Sequence, residues 1–324
     1  MPSLRRRPRG GAEAGSVAGA AVAPEVPWAL GPLLRDGPTP LVERAAGGER
    51  LDVAVVLGTG QAEARDAGIP GELVGALGAA GIDVRIVGQD EAAQAADADV
   101  VLAAGWPAAP AVLTLHGVRA RAVLATPAPP VLGELGWATG LSVFGPAWMG
   151  GALPGGADAA YGAMPVHRRE DLVLVHSEEP FGLLAAAELH ARRDDLTFAV
   201  SGARRDLDLP FEYLAVEPGG EALAHAFASA TVAFAPPVRG WRPAAVAMLV
   251  CGQAVVAPGD GAGRSALGPT ASLATSPLEA ADLAEVLVAD LELRATRARA
   301  GFARFSGGWT ATATALAAAL RALP

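Results

Sequence analysis

Arg239, Trp241 and Arg242 stand together in one short stretch of this 324-residue sequence, directly before Pro243 and an apolar run suited to a helix. A guanidinium is a planar fork of N–H donors, so two of them in one loop could grip a phosphate bidentately. Pro243 fits the first turn of the helix that follows. The competing reading is a solvated loop in which Trp241 packs as an anchor. His176 closes a different apolar run and is followed by Ser177. An imidazole can exchange protons near neutral pH, but no partner carboxylate is assignable to it from the sequence. His116, beside Gly117, offers the same chemistry, or is a partly buried histidine bonded to backbone. Gly58-Thr59-Gly60 would let backbone approach a diphosphate closely, and an ordinary turn explains it equally well. Trp106 follows an apolar run and could stack on a sugar ring or pack between domains. Asp260 and Ser265, in the Gly-rich stretch Gly259 to Gly268, could border a donor site, and a flexible Gly-rich loop explains them equally well. No residue is assigned a catalytic role.

Elements of a particular kind must position these groups. Leu51 to Leu57 is a short apolar run of the type buried on both faces of a parallel sheet. Gly71 to Ala80 reads as a helix stopped by Gly81. Strands follow at Ile82 to Val87, Ala98 to Ala103, Arg121 to Ala125 and Leu141 to Phe144, with residues 91–97 helical between two of them. The Gly/Pro-rich stretch Gly150 to Gly156 marks a domain boundary, and the pattern restarts after it. Strands are expected at Asp171 to His176, Leu196 to Val200, Tyr213 to Val216, Thr231 to Phe234 and Ala254 to Val256. Helices are expected at Phe181 to Arg192, Glu221 to Ala228, Ala244 to Val250, Pro277 to Ala289, Glu292 to Arg304 and Thr312 to Leu323. The fold class is therefore α/β, with two Rossmann-like doubly wound domains facing a cleft. The expected organisation is an irregular tail over 1–48, a first domain over 49–150 and a second over 151–310. Residues 311–324 form a helix that packs back on the first domain through Ala315, Leu316, Ala319, Leu320 and Leu323, one stripe at helical spacing.

Composition narrows the function. A net charge of −9 argues against a general nucleic-acid binder, which would carry a basic face. The single cysteine, Cys251, rules out an intrachain disulfide framework and a cysteine-based zinc cluster. Aromatic residues are only 5% of the chain, so ring stacking on a ligand must rest on a few side chains. No apolar run reaches the ~20 residues that span a bilayer. Arg5-Arg6-Arg7-Pro8-Arg9 precedes an Ala/Gly/Val stretch, but Glu13, Pro24 and Glu25 interrupt it, so the start reads as a basic tail rather than a secretory signal. The expected location is cytoplasmic, with a weak peripheral contact to anionic lipid available through that tail.

Five segments in order resemble bacterial GT-B glycosyltransferases of family four, in particular the rhamnosyltransferase-like branch. Ala98 to Pro107 (ADVVLAAGWP) is similar to that branch's "ADVVIATGW" segment. Gly140 to Trp148 resembles the strand and helix start that close its first domain. Leu153 to Tyr161 (LPGGADAAY) resembles its "G-V-D-x-x-x-F" interdomain connector. Arg193 to Gly202 resembles "R-P-D-L-x-F-x-x-x-G", and Met248 to Val256 (MLVCGQAVV) resembles "A-M-A-C-G-x-P-V-V". Cys251 falls on a small buried position of that last motif, which implies a structural thiol.

The resemblance implies a nucleoside diphosphate sugar held against the second domain, an acceptor (glycan or small molecule) on the first, and a retained anomeric configuration. It implies no metal, the diphosphate being met by basic side chains and backbone N–H groups. On this basis Arg239, Trp241, Arg242, His176 and Ser177 are the donor-side candidates. Gly58, Thr59, Gly60, Trp106 and His116 are the acceptor-side candidates. The sequence departs from the family where charge matters. The glutamate five residues before the motif glycine is Ala247, and its partner eight residues earlier is Arg239. The glycine and basic residue after the second domain's first strand are replaced by His176-Ser177-Glu178-Glu179-Pro180, whose two carboxylates oppose a diphosphate. Thr126 to Pro130 stands where the branch has an acidic acceptor-side motif.

Three functions fit this pattern. One is a glycosyltransferase-like protein acting on a nucleotide sugar. The second is a non-catalytic GT-B module bound to a partner glycosyltransferase in a polysaccharide pathway. The third is another nucleotide-dependent doubly wound enzyme, such as a sugar-nucleotide epimerase; the incomplete G-x-G-x-x-G after the first strand argues against it.

Overall fold

The computed structural model describes residues 50–58, 69–116, 118–124, 142–146, 153–162, 167–176, 179–202, 207–217 and 220–323. Among them are two separate parallel sheets. The first takes β1 (Leu51–Leu57), β2 (Ile82–Gly88), β3 (Val100–Ala103), β4 (Ala120–Leu124) and β5 (Ser142–Phe144) in the order β2-β1-β3-β4-β5. The second takes β6 (Arg169–His176), β7 (Thr197–Ser201), β8 (Tyr213–Val216), β9 (Ala230–Phe234), β10 (Ala254–Pro258) and β11 (Ser272–Ala274) in the order β11-β10-β9-β6-β7-β8. Every pairing is parallel. The apolar runs explain the central positions: Val53 to Leu57 and all of β9 are buried, as strands covered on both faces must be.

Helices cover the sheets. They are α1 (Gly71–Ala79), α2 (Ala109–Thr114), α3 (Pro180–Arg192), α4 (Gly220–Ser229), α5 (Ala244–Val250), α6 (Gly261–Leu267), α7 (Pro277–Ala289), α8 (Leu291–Phe305) and α9 (Thr310–Arg321). Local chemistry sets their starts. The Ser276 hydroxyl accepts from Glu279 N, and Glu279 in turn accepts from Thr275 N at 2.7 Å, satisfying donors that the first turn of α7 leaves unpaired. Asp290 does the same for α8 through Leu293 N. No helix among the described residues is long and apolar enough to cross a membrane.

Four elements differ from the sequence reading. Residues 91–97 are not an α-helix; a 3-10 segment, Gln89–Ala95, occupies the place. The six residues of α2 are too few to show a helical period, and went unread. The stretch Gly259 to Gly268, expected to be a flexible loop, contains α6. Asp260 caps it by accepting from Gly263 N at 2.6 Å. Gly263 is needed on packing grounds, since a Cβ there would lie 2.3 Å from the Pro258 carbonyl oxygen. Gly263 thus serves a tight strand-to-helix return, which leads on to the edge strand β11, an element outside the sequence reading.

The chain crosses between the sheets twice, and the crossings are stitched together. Residues 153–158 leave the first sheet, where Leu153 bridges Pro146. The segment that starts α9 returns beside them. Thr312 Oγ1 donates to the Pro154 carbonyl at 2.7 Å, and Trp309 Nε1 donates to Asp158 Oδ1 at 2.8 Å. From there α9 lies along α1, burying Ala313, Leu316, Ala317 and Leu320 in the same cluster as Val53, Leu73 and Leu77. At the crossing a Cβ on Gly156 would stand 2.3 Å from the Gly308 carbonyl oxygen, so backbone meets backbone with no room for a side chain.

Gly156→Ala should therefore lower stability by about 1–3 kcal/mol, the usual cost of overpacking, seen as a drop of several degrees in Tm. Gly75→Ala, in α1 with nothing within 4 Å of the added methyl, should be neutral or stabilising by about 0.5–1 kcal/mol. Thermal melts of the two variants test this; equal melting of both would mean the crossing is not tight.

Candidate functional site

In a doubly wound sheet, ligands collect outside the carboxyl ends of the strands, at the point where strand order reverses. The order β11-β10-β9-β6-β7-β8 reverses between β9 and β6. From β6 the chain passes through α3 to β7; from β9 it passes through α5 to β10, in the opposite direction. The two outgoing loops diverge and leave a cavity of about 320 Å³ lined by His176, Glu179, Pro236, Pro237, Arg239, Arg242, Pro243 and Ala244. Three of the donor-side candidates, His176, Arg239 and Arg242, thus meet at the place the topology designates.

His176 is the last residue of β6 and is largely buried. Its Nδ1 lies 3.3 Å from the Ser201 carbonyl oxygen at the end of β7. A carbonyl only accepts, so Nδ1 is the donor in that contact, which fixes the ring at the cavity wall. Pro236 and Pro237 stiffen the opposite wall by fixing φ.

The cations are already engaged. Arg239 Nη2 pairs with Glu179 Oε1 at 2.9 Å, and Arg242 Nε pairs with Asp158 Oδ2 at 3.1 Å. The two pairs differ in character. Arg239 is 68% exposed and Glu179 32%, so that pair faces water and is weak. Asp158 is 19% exposed and also takes the Trp309 indole N–H, so it is anchored on both oxygens. All 25 basic residues of the chain are arginine and none is lysine. Any fully charged side chain offered to a phosphate here is therefore a guanidinium.

Trp241 does not join this lining. It is 2% exposed and packs 6.4 Å from the Trp309 ring at 51°, in the same buried cluster as Leu57, Leu102 and Leu153 of the first sheet. Its ring face is covered, which corrects its reading as a ligand contact. It plugs the β9–α5 loop into the other half of the molecule. Ser177, which with Glu178 follows His176, lies outside the described residues.

On the first sheet, Gly58 directly follows β1 and Trp106 opens a 3-10 turn after β3, entered through Gly105 at φ 84°. Both stand at the carboxyl edge next to the reversal between β1 and β3, where a second ligand surface is expected. Trp106 is half-buried against a cluster containing Ala108 and Val112. Thr59 and Gly60 lie outside the described residues, as does Thr126 to Pro130. His116 is a correction. It follows α2 and precedes β4, and the neighbouring Leu115 carbonyl is held by Arg121 at the start of β4. That is the amino edge of a parallel sheet, away from where such folds bind ligands, and the His116 side chain is exposed there.

Ala247 lies one turn beyond Ala244 on α5, is 8% exposed, and packs in the core cluster with Phe227 and Met248. It does not line the cavity. Cys251 is buried, and burial pushes its thiol up to about 11, which suits packing and not nucleophilic chemistry. Two residues that organise the site were not singled out as such by the sequence. Asp158 was only one letter of the connector pattern, and Glu179 was noted for repulsion and not as the partner of Arg239.

No protein-family model and no curated protein matches the sequence. Solved structures match in fold. HepE of Anabaena, in complex with UDP, superposes with a TM-score of 0.61 at 14% identity, over 84% of this chain and 100% of its own. AviGT4, a glycosyltransferase involved in avilamycin A biosynthesis, gives 0.55 at 15% identity, over 84% and 97%. A UDP-N-acetylglucosamine 2-epimerase gives 0.51 at 14% identity, over 83% and 95%. The chain has the GT-B fold. At these identities the likeness concerns architecture, and it spans glycosyl-transfer and epimerase chemistry alike.

If Trp241 is an anchor, Trp241→Ala opens a hole in the cluster shared by both halves and should destabilise the protein by about 3–5 kcal/mol. Chemical denaturation measures this. A variant that unfolds like the native protein but loses a ligand would restore the ligand-stacking role.

Proposed function

We propose that this chain holds a nucleoside diphosphate sugar in the cavity between β6 and β9 and takes part in glycosyl transfer to a glycan or small-molecule acceptor. The observation that carries the reading is the convergence of His176, Arg239 and Arg242 at the strand-order reversal of a GT-B second sheet. The guanidiniums would stabilise the departing diphosphate, with no metal required, by placing fixed donors where charge develops. With Nδ1 donating to the Ser201 carbonyl, the neutral His176 ring would accept a hydrogen bond from a sugar hydroxyl through Nε2. The acceptor would approach from the carboxyl edge of the first sheet, near Gly58 and Trp106. The retaining outcome, the rhamnosyltransferase-like branch and a cytoplasmic location come from the sequence resemblance and composition, and belong to this proposal. That HepE and AviGT4 share the fold supports it.

One observation favours a second reading, a non-catalytic GT-B module that serves a partner glycosyltransferase in a polysaccharide pathway. Both cavity arginines are paired with carboxylates, and the position of the family's donor glutamate is a packed alanine, Ala247. The two readings part on ligand binding. A ligand at 100 times its dissociation constant stabilises the folded state by about 2.7 kcal/mol.

Thermal-shift titration with UDP, TDP, GDP and their sugars should give a clear rise in Tm for one nucleotide series. Each charge-assisted contact is worth about 1.5–3 kcal/mol, so the double change Arg239→Ala with Arg242→Ala should weaken that binding at least tenfold. Flat traces across the panel would favour the partner module; unchanged affinity in the folded double variant would move the diphosphate elsewhere.

A further inference from the structure

Glu179 occupies a position whose usual work it does not do. It is the N-cap residue of the 13-residue helix α3, with extended backbone, yet its side chain makes no capping hydrogen bond. Ser, Thr, Asp and Asn are the residues that cap well, because a short side chain reaches the N–H groups of the first turn. The longer Glu179 carboxylate instead turns across the cavity mouth to Arg239, which belongs to the loop after β9. Both partners line the cavity.

Resting on the function proposed above, we infer that Glu179 is a built-in competitor for the anionic ligand of this cavity. Its carboxylate holds the Arg239 guanidinium until a diphosphate displaces it. The carboxylate and a phosphate oxygen seek the same planar fork of donors, so they exclude one another at Arg239. An anion that displaces Glu179 must break the pair and then share the cavity with the released negative charge. The exposed character of the pair makes the exchange feasible, since such pairs are held weakly and are screened by salt. Arg242 is not exchangeable in this way. Its partner Asp158 is also bonded to Trp309 Nε1, so its carboxylate cannot swing away without breaking the stitch between the two crossings. The cavity thus contains one cation with a fixed orientation, Arg242, and one that is latched, Arg239. The latch imposes a modest cost on any anion that takes Arg239, and a nucleoside diphosphate engages two guanidiniums only by meeting that cost.

The test is titration calorimetry of inorganic pyrophosphate and of UDP, TDP and GDP against four proteins: native, Glu179→Gln, Arg239→Ala and the double variant. Melting curves confirm that each is folded. Glu179→Gln keeps shape and removes the charge, so it should bind pyrophosphate and the preferred nucleoside diphosphate about two- to fivefold tighter, the equivalent of an exposed ion pair. The gain should shrink as salt is raised. Arg239→Ala should bind more weakly than native, and Glu179→Gln should gain little on top of it. If Glu179→Gln binds no tighter while Arg239→Ala binds more weakly, Glu179 merely positions Arg239; the latch is wrong and the site stands. If Glu179→Gln gains equally with and without Arg239, the carboxylate acts by general repulsion and the latch is again wrong. If none of the four proteins binds pyrophosphate or any of the nucleotides, the latch and the proposed function fall together.

Discussion

The Asp158 carboxylate is the interaction on which the rest of this structure depends. One oxygen accepts the Trp309 indole N–H where the chain returns to the first sheet, and the other pairs with Arg242 at the cavity. Gly156 permits it by leaving no Cβ to meet the Gly308 carbonyl at 2.3 Å, and Gly308 by taking a φ of 59° that side-chain-bearing residues rarely adopt. A single mostly shielded carboxylate thereby joins the connector, the return helix and the cavity-lining loop. Its charge is affordable there because both oxygens have donors, the condition under which a shielded carboxylate is tolerated. Trp241 and Trp309, packed against one another next to it, convert that polar junction into an apolar one on its other side.

The junction gives the cavity its asymmetry. The β9–α5 loop sends Trp241 into the first sheet's core and leaves Arg239 and Arg242, on either side of it, at the cavity. Neighbouring residues of one loop thus face opposite ways, Trp241 into the core and Arg239 and Arg242 to the cavity. The rigid anchor restricts where the two guanidiniums can be, and preorganised donors stabilise developing charge better than mobile ones. Glu179 supplies the counterweight from the other loop. The cavity thus holds one arginine paired with an exposed carboxylate and one paired with a carboxylate anchored on both oxygens.

The GT-B likeness explains why the cavity lies where it does, without deciding its chemistry. Parallel sheets open at their strand-order reversals in every member of such a fold, whatever the reaction. What individualises this chain is its side-chain set: guanidiniums without any lysine, a histidine fixed by the neighbouring strand, and Ala247 on α5 packed into the core.

Much of the architecture was legible in the sequence, because it is written in local periodicity. Apolar runs such as Leu51 to Leu57 and Ala230 to Phe234 bury both faces and can only be inner strands of a covered sheet. Helices with a long stripe, α7 and α8 among them, announce themselves by their period and caps. Short elements do not: α2, α6 and β11 carry too few residues for a period to emerge, and Gly263 of α6 serves packing against Pro258 that no local pattern reveals. The site divides along the same line. Arg239, Arg242 and His176 could be picked out because residue type and a place at an element's end are properties of the sequence. That Trp241 faces inward, that His116 stands at the wrong edge of its sheet, and that Arg239 and Arg242 meet Glu179 and Asp158 were decided by tertiary structure alone. Each depends on which strand lies beside which and on how the chain recrosses, and these long-range pairings leave no trace in the spacing of neighbouring residues.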